Sequence, residues 1–108
     1  QGIKVTCKVQ NYPEDQDGMQ CMEKVLVKLF EYAIAENEKP VEPDKKQIDV
    51  QIDVIANQAV VLFTCPAGKK IYGLKKKINE LTKEREGNTE VEKVEGRMKI
   101  CVTFAEKD

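Results

Sequence analysis

The apolar residues of this chain repeat with two different periods, and the changes of period divide the sequence into six segments. A repeat of two is typical of a strand with one buried face, and a repeat of three and four is typical of a helix. Three segments show the repeat of two, namely Ile3–Val9, Ile48–Val54 and Met98–Phe104. A fourth, Ala59–Cys65, is almost continuously apolar, which is typical of a central strand covered on both faces.

The remaining two segments predict helices. From Met19 to about Asn37, and from Ile71 to about Arg85, apolar residues recur every three or four positions while charged residues occupy the other faces. Residues 38–46 contain two prolines between charges, so we interpret them as an exposed connector. Residues 89–94 stay open to three interpretations: a continuation of the helix, a loop, or the first arm of an extra hairpin that turns through Glu95-Gly96.

The order strand, helix, strand, strand, helix, strand predicts an α+β domain of the ferredoxin-like βαββαβ type. In that fold two helices cover one face of a four-stranded antiparallel sheet with the strand order 4-1-3-2. We expect residues 3–108 to form a single domain, with an extra C-terminal hairpin arm still open, and residues 1–2 to be the remnant of an expression tag. No apolar stretch is long enough for a membrane-spanning helix, so we predict a cytoplasmic protein without a membrane partner.

The composition removes several kinds of catalysis. The chain contains no His and no Ser, so the Ser-His-Asp and Cys-His arrangements cannot be assembled within it, and histidine-based zinc sites are excluded as well. Asp49 and Asp53 project from one face of a predicted strand, too far apart to act as a carboxylate pair on one bond. We therefore predict no catalytic residues and no enzymatic activity.

The four cysteines are widely spaced and include no C-x-x-C pair. They are Cys7, Cys21, Cys65 and Cys101. We interpret them as reduced thiols of an intracellular protein, with a disulfide or a four-thiolate metal site as alternatives. The string Gly18-Met19-Gln20-Cys21 resembles the G-M-x-C-x-x-C segment of heavy-metal-associated domains, a resemblance that implies copper-like ions. However, Lys24 stands at the second thiol position, so we predict no metal site and no cofactor.

Positive charge concentrates between Pro66 and Arg85, where seven basic side chains face two acidic ones. A strand end that runs through Gly68 into a lysine-flanked helix start resembles a phosphate cradle, in which backbone amides and the positive helix end face an anion. It is not a P-loop, because the upstream glycine and the Ser or Thr are missing. The candidate residues for binding an anion or a nucleic acid are Lys69, Lys70, Lys76 and Lys83.

These observations together predict a non-enzymatic protein-interaction module that acts as a homo-oligomer, an inhibitor or an adaptor. The alternative is binding of nucleic acid or phosphate through the basic segment 69–85. A solvated helix face is the simplest interpretation of those lysines. The expected partners are another protein or a second copy of the chain, with nucleic acid as the second choice.

Overall fold

A computed structural model describes residues 4–36, 47–67 and 71–106 of the chain. Two helices and five strands follow one another in the order β1 (Val5–Val9), α1 (Gln16–Glu36), β2 (Ile48–Ile55), β3 (Gln58–Pro66), α2 (Ile71–Leu81), β4 (Asn88–Val94) and β5 (Arg97–Ala105). A single 3-10 turn, Lys83–Arg85, lies between α2 and β4. Neither helix in the described part of the chain is long and apolar enough to cross a membrane. Residues 1–2 and the whole predicted connector 38–46 lie outside the described residues.

The five strands form one mixed sheet in the order β1-β2-β3-β5-β4. β1 pairs with β2 in parallel, and all the other pairs are antiparallel. The prediction of a small α+β domain with two helices is confirmed, but the ferredoxin-like order 4-1-3-2 is not the order of this sheet. The reason is that α1 connects β1 to its direct neighbour β2, and that β5 pairs with β3 and β4, so β1 is left at the edge.

Residues 89–94 belong to a hairpin, which was one of the three open interpretations. Glu95 (φ 52°) and Gly96 (φ 80°) both have left-handed backbone angles, and this combination matches the two-residue turn that suits the twist of antiparallel strands. Ala56 (φ 52°) and Asn57 (φ 65°) make the same kind of turn between β2 and β3. The C-terminal strand therefore pairs on both of its sides.

Helix α1 begins three residues earlier than the apolar repeat predicts, because its first turn is capped by a polar residue. The Asp15 carboxylate accepts a hydrogen bond of 3.0 Å from the backbone N–H of Gly18. A Cβ at position 18 would lie 2.6 Å from Asp15 Oδ1, so only glycine lets the carboxylate lie so close over this turn.

Helix α2 ends four residues before the predicted Arg85, because Thr82 closes it. The Thr82 hydroxyl donates to the carbonyl oxygen of Ile78 at 3.0 Å, and the Gly87 N–H donates to the Thr82 carbonyl oxygen at 2.9 Å. A Cβ at position 87 would lie 1.9 Å from Thr82 Oγ1, so this return of the backbone requires glycine.

Both helices pack on one face of the sheet, with α1 against β3 and α2 against β4. The alternate residues of β5 and the apolar stripe of α1 are buried there: Met98, Ile100, Val102, Phe104, Met22, Val25, Leu29 and Ala33. Phe30 of α1 contacts Phe63 of β3 edge to face, with 5.2 Å between the ring centroids. Val5 and Val9 of the edge strand stay about half exposed.

One partly buried ion pair joins three elements of the fold. Arg85, in the 3-10 turn after α2, is almost fully buried. Its Nη2 lies 2.8 Å from Asp15 Oδ2 at the start of α1, and its Nη1 donates to the carbonyl oxygen of Ala105 at 3.0 Å, at the end of β5. A single guanidinium therefore connects the N-terminus of α1 with the turn after α2 and the last strand.

Replacing the buried guanidinium should destabilise the protein. We expect Arg85→Met to lower the free energy of unfolding by roughly 2 kcal/mol, less than the cost in a fully buried pair because Asp15 is partly exposed. Lys83→Met, in the same turn but exposed, is the control and should change it by less than about 0.5 kcal/mol. Urea denaturation measures both values, and equal stabilities of the two variants would contradict the role given to Arg85.

Acid should weaken the same connection. The pKa of Asp15 is lowered first by the hydrogen bond from the Gly18 N–H and then by Arg85. A carboxyl whose pKa is lowered on folding contributes stability above its unfolded pKa of about 4, and this contribution is lost as the pH falls further. Denaturation midpoints measured between pH 6 and pH 2 should therefore fall less steeply for Asp15→Asn, which keeps a cap but no charge. An unchanged acid slope in this variant would contradict the prediction.

Candidate functional site

Helices α1 and α2 lie side by side on the sheet and leave a groove of about 330 Å³ between them. Each helix lines it with residues about one turn apart, which therefore share a face. The lining residues are Lys28, Glu31 and Tyr32 from α1 and Gly73, Leu74 and Lys77 from α2. We call this space the interhelical groove.

Two side chains make part of the interhelical groove apolar. Leu74 is buried, and Tyr32 is half-buried, with its hydroxyl 3.9 Å from the sulfur of Met98. An aromatic ring and an aliphatic side chain next to each other suit a flat aromatic ligand, because such a ligand can stack on the ring and pack against the aliphatic carbon atoms.

Gly73 leaves open space in the wall of the interhelical groove. A Cβ built at this position would meet no atom within 4 Å, so neighbouring side chains do not require a glycine here. Glycine within a helix costs about 1 kcal/mol relative to alanine. The missing side chain therefore has no packing benefit in the described structure, and the backbone of α2 is left uncovered at this position.

The interhelical groove carries more positive than negative charge. Lys28 and Lys77 line it together with one carboxylate, Glu31. Lys28 Nζ lies 3.5 Å from Glu31 Oε1, with the two side chains 40% and 63% exposed. An ion pair with that exposure contributes little, so Lys28 can exchange it for a stronger contact with an anion. The arrangement is suited to a ligand with an aromatic part and a negatively charged part.

The lysines predicted from the sequence lie elsewhere. Lys76 and Lys83 line a second groove of about 640 Å³, which α2 forms with the turn that follows it and which we call the outer groove. Tyr72, another residue of its lining, is 83% exposed. Lys69 and Lys70 lie outside the described residues. The structure therefore brings Lys76 and Lys83 together, but not in the interhelical groove.

Sequence reasoning missed four residues of the interhelical groove: Lys28, Tyr32, Gly73 and Lys77. Two signals were present. Lys28 and Tyr32 are one turn apart along the margin of the apolar stripe of α1, and Gly73 interrupts an otherwise good helix. Neither signal indicates a shared groove until α1 and α2 are known to lie next to each other.

The acidic residues of the sheet do not form a shared site. Asp49 accepts a hydrogen bond from the Thr6 hydroxyl, which is the main cause of its lowered pKa, and it also contacts Gln47 and Arg97. Asp53 accepts a hydrogen bond of 2.9 Å from the Asn11 side chain. Within residues 4–36, 47–67 and 71–106 there is no group of three or more His, Cys, Asp or Glu that could hold a metal ion.

The four thiols are separate from one another and form no disulfide. Cys21 and Cys65 are buried, Cys101 is half-buried and Cys7 is exposed. Burial raises the pKa of the Cys21 and Cys101 thiols, so neither is prepared to act as a thiolate. Cys21, in the segment that resembles heavy-metal-associated domains, packs in the core with its sulfur 3.9 Å from the carbonyl oxygen of Leu81.

No family model and no curated protein matches this chain. Solved structures with a similar fold do match it. The catalytic domain of the histidine kinase ThkA, in a nucleotide-free form, is similar with a TM-score of 0.68 and 14% identity, over 97% of this chain and 79% of that one. The Acinetobacter baumannii histidine kinase AdeS is similar with a TM-score of 0.72 and 10% identity, over 99% of this chain and 56% of that one. Full-length ShkA in complex with AMPPNP is similar with a TM-score of 0.66 and 12% identity, over 98% of this chain and 26% of that one.

These likenesses show the fold and correct two predictions. The non-enzymatic interaction module and the absence of enzymatic activity both depended on a ferredoxin-like topology and on missing Ser and His residues. The sheet has another topology, and the similar structures are histidine kinases, among them an isolated catalytic domain, so both predictions are wrong. The chain has the fold of a histidine kinase catalytic domain.

Proposed function

We propose that this chain is a nucleotide-binding domain of the kinase type and that it binds an adenine nucleotide in the interhelical groove. The observation that carries the proposal is a combination of three features in one groove. Tyr32 supplies an aromatic ring, Gly73 leaves the backbone of α2 uncovered, and Lys28 and Lys77 supply two ammonium groups. The complex of ShkA with AMPPNP supports the choice of ligand, because a protein of the same fold holds an adenine nucleotide analogue.

Each part of the nucleotide has a counterpart in the groove. The base packs against Tyr32 and Leu74, which provide the half-buried apolar surface. The phosphates face Lys28 and Lys77, because an ammonium group is a compact positive charge that donates three hydrogen bonds. Gly73 lets the ligand come close to the backbone of α2. In this proposal a free nucleotide, and not a nucleic acid, is the phosphate ligand of the chain.

A kinase-type reaction also needs a phosphoryl acceptor. These 108 residues contain no His, so a histidine acceptor lies on another segment or another protein. In this proposal the protein partner of the chain is the carrier of that acceptor. Nucleotide binding is therefore the part of the reaction that these residues can be tested for directly.

The lysines predicted from the sequence give a second location for the phosphates. Lys76 and Lys83 line the outer groove with Lys75, and the exposed ring of Tyr72 lies in the same lining. Two carboxylates, Glu80 and Glu86, line it as well and lower its net positive charge. Lys69 and Lys70, in the connection before α2, stay a prediction. We prefer the interhelical groove because its aromatic residue is half-buried and its wall is open at Gly73.

Two adjacent lysines on α2 distinguish the grooves, since Lys77 lines the interhelical groove and Lys76 lines the outer one. We expect Lys77→Gln to weaken AMPPNP binding about tenfold, because a hydrogen bond to a charged group is lost. Lys76→Gln is the matched control and should stay within about twofold of the wild type. Isothermal titration calorimetry with AMPPNP measures all three dissociation constants.

Two results of this titration would count against the proposal. Absence of saturable AMPPNP binding at millimolar concentration would overturn nucleotide binding itself. Weakening by Lys76→Gln, with none by Lys77→Gln, would place the phosphates in the outer groove.

Substitution of Gly73 separates the fold from ligand binding. Gly73→Ala should raise the free energy of unfolding by about 0.4 to 1 kcal/mol, because the added Cβ meets open space and the unfolded chain loses freedom. Gly73→Leu should remain folded but fill the groove, so that AMPPNP binding is lost. Thermal unfolding and calorimetric titration check the two effects, and wild-type AMPPNP affinity in Gly73→Leu would contradict the placement of the ligand.

A further inference from the structure

The interhelical groove has an unusual donor set for a site that binds nucleotide phosphates. Such sites commonly bind Mg²⁺, which takes hard oxygen ligands: one or two protein carboxylates, the phosphates and several waters. Among the described residues that line this groove, Glu31 is the one carboxylate, and Lys28 Nζ lies 3.5 Å from its Oε1, so a cation at that oxygen would meet an ammonium group at close range. The two ammonium groups of the lining repel a divalent cation.

Within the described part of the chain, no carboxylate other than Glu31 lines the groove. Asp15 binds Gly18 and Arg85, and Asp49 binds Thr6 and Arg97. Neither aspartate lines the groove. No cluster of three acidic, His or Cys residues that could hold a metal exists anywhere in residues 4–36, 47–67 and 71–106. The described residues that line the groove therefore offer one carboxylate and two repelling ammonium groups, a set that does not fit a bound Mg²⁺ ion.

We propose that the interhelical groove binds its nucleotide without a divalent cation, with Lys28 and Lys77 neutralising the phosphates in its place. This inference rests on the proposed nucleotide binding. An ammonium group needs no octahedral set of ligands, and it donates its hydrogen bonds to phosphate oxygens directly. A nucleotide that already carries Mg²⁺ presents less negative charge to the lysines and brings a cation close to them. Free nucleotide is therefore the preferred ligand.

The direct test compares AMPPNP affinity with and without Mg²⁺ at equal ionic strength. We expect a dissociation constant at least about threefold lower in EDTA than in excess MgCl₂, because the lysines then face the full phosphate charge. Tighter binding in MgCl₂ would overturn this inference and leave the proposed function intact. Absence of binding in both solutions would overturn both, so the two failures are distinguishable.

A charge reversal at position 28 provides the second test. Lys28→Asp places carboxylates at positions 28 and 31, three residues apart on one helix face that lines the groove. We expect the variant to bind AMPPNP about tenfold more weakly than the wild type in EDTA, and to recover when MgCl₂ is added. Lys28→Gln should show the same weakening in EDTA without the recovery, because it supplies no carboxylate.

Lys8→Asp is the matched control for the charge change. Lys8 lies on β1, away from the helices that line the groove, so its reversal should leave both dissociation constants within about twofold of the wild type. Thermal unfolding shows whether each variant is folded before it is titrated. Wild-type affinity of Lys28→Asp in EDTA, or an equal loss in Lys8→Asp, would overturn the direct role of Lys28.

Discussion

The carboxylate of Asp15 makes the interactions that fix the position of the first helix. One of its oxygens accepts the Gly18 N–H at the start of α1 and also contacts the guanidinium of Arg85, whose other nitrogen donates to Ala105 at the end of β5. A helix whose N-terminus is capped by a residue that is itself ion-paired has little freedom to slide. The turn after α2 is held by the same guanidinium. The relative position of the two helices therefore depends on a polar contact at one end and on apolar packing along their length.

The interhelical groove is a consequence of this placement. The core faces of α1 and α2 are filled by residues such as Leu29 and Ile78, which are fully buried. Lys28 and Lys77 lie next to these residues in the sequence, at the margins of the two faces, so they reach the space between the helices. The packing of the core thus brings together two cations from distant parts of the sequence. A different distance between the helices would separate them.

Sequence periodicity predicted the elements of the fold but not their neighbours. β1 and β5 have the same alternation, yet Val5 and Val9 of β1 are about half exposed, while Ile100 and Val102 of β5 are fully buried. Alternation reports that a strand has an apolar face, and it does not report whether the strand lies at the edge or in the centre of a sheet. The sequence did not decide whether residues 89–94 form a hairpin, because Glu95 has a left-handed backbone angle and glutamate is not a residue that such a turn usually selects.

Net charge indicated a basic segment but not which of its side chains line a groove, because a count of charges does not show where each side chain points. Arg85 was counted in the basic segment, but it is buried against Asp15 and is not available to a ligand. Lys76 and Lys77 are adjacent and line different grooves.

Ligand chemistry and fold are specified by different residues of the same helices. The buried stripe of α1, with Met22, Val25 and Leu29, has no freedom to change without a cost in packing. Lys28 and Glu31 are partly exposed, and their replacement leaves that stripe intact. A fold can therefore persist at 10 to 14% identity, because substitutions at exposed positions of the helices leave the buried stripe unchanged. In the proposed function the nucleotide binds next to Lys28 and Lys77, and in the further proposal these two lysines neutralise its phosphates in place of a metal ion.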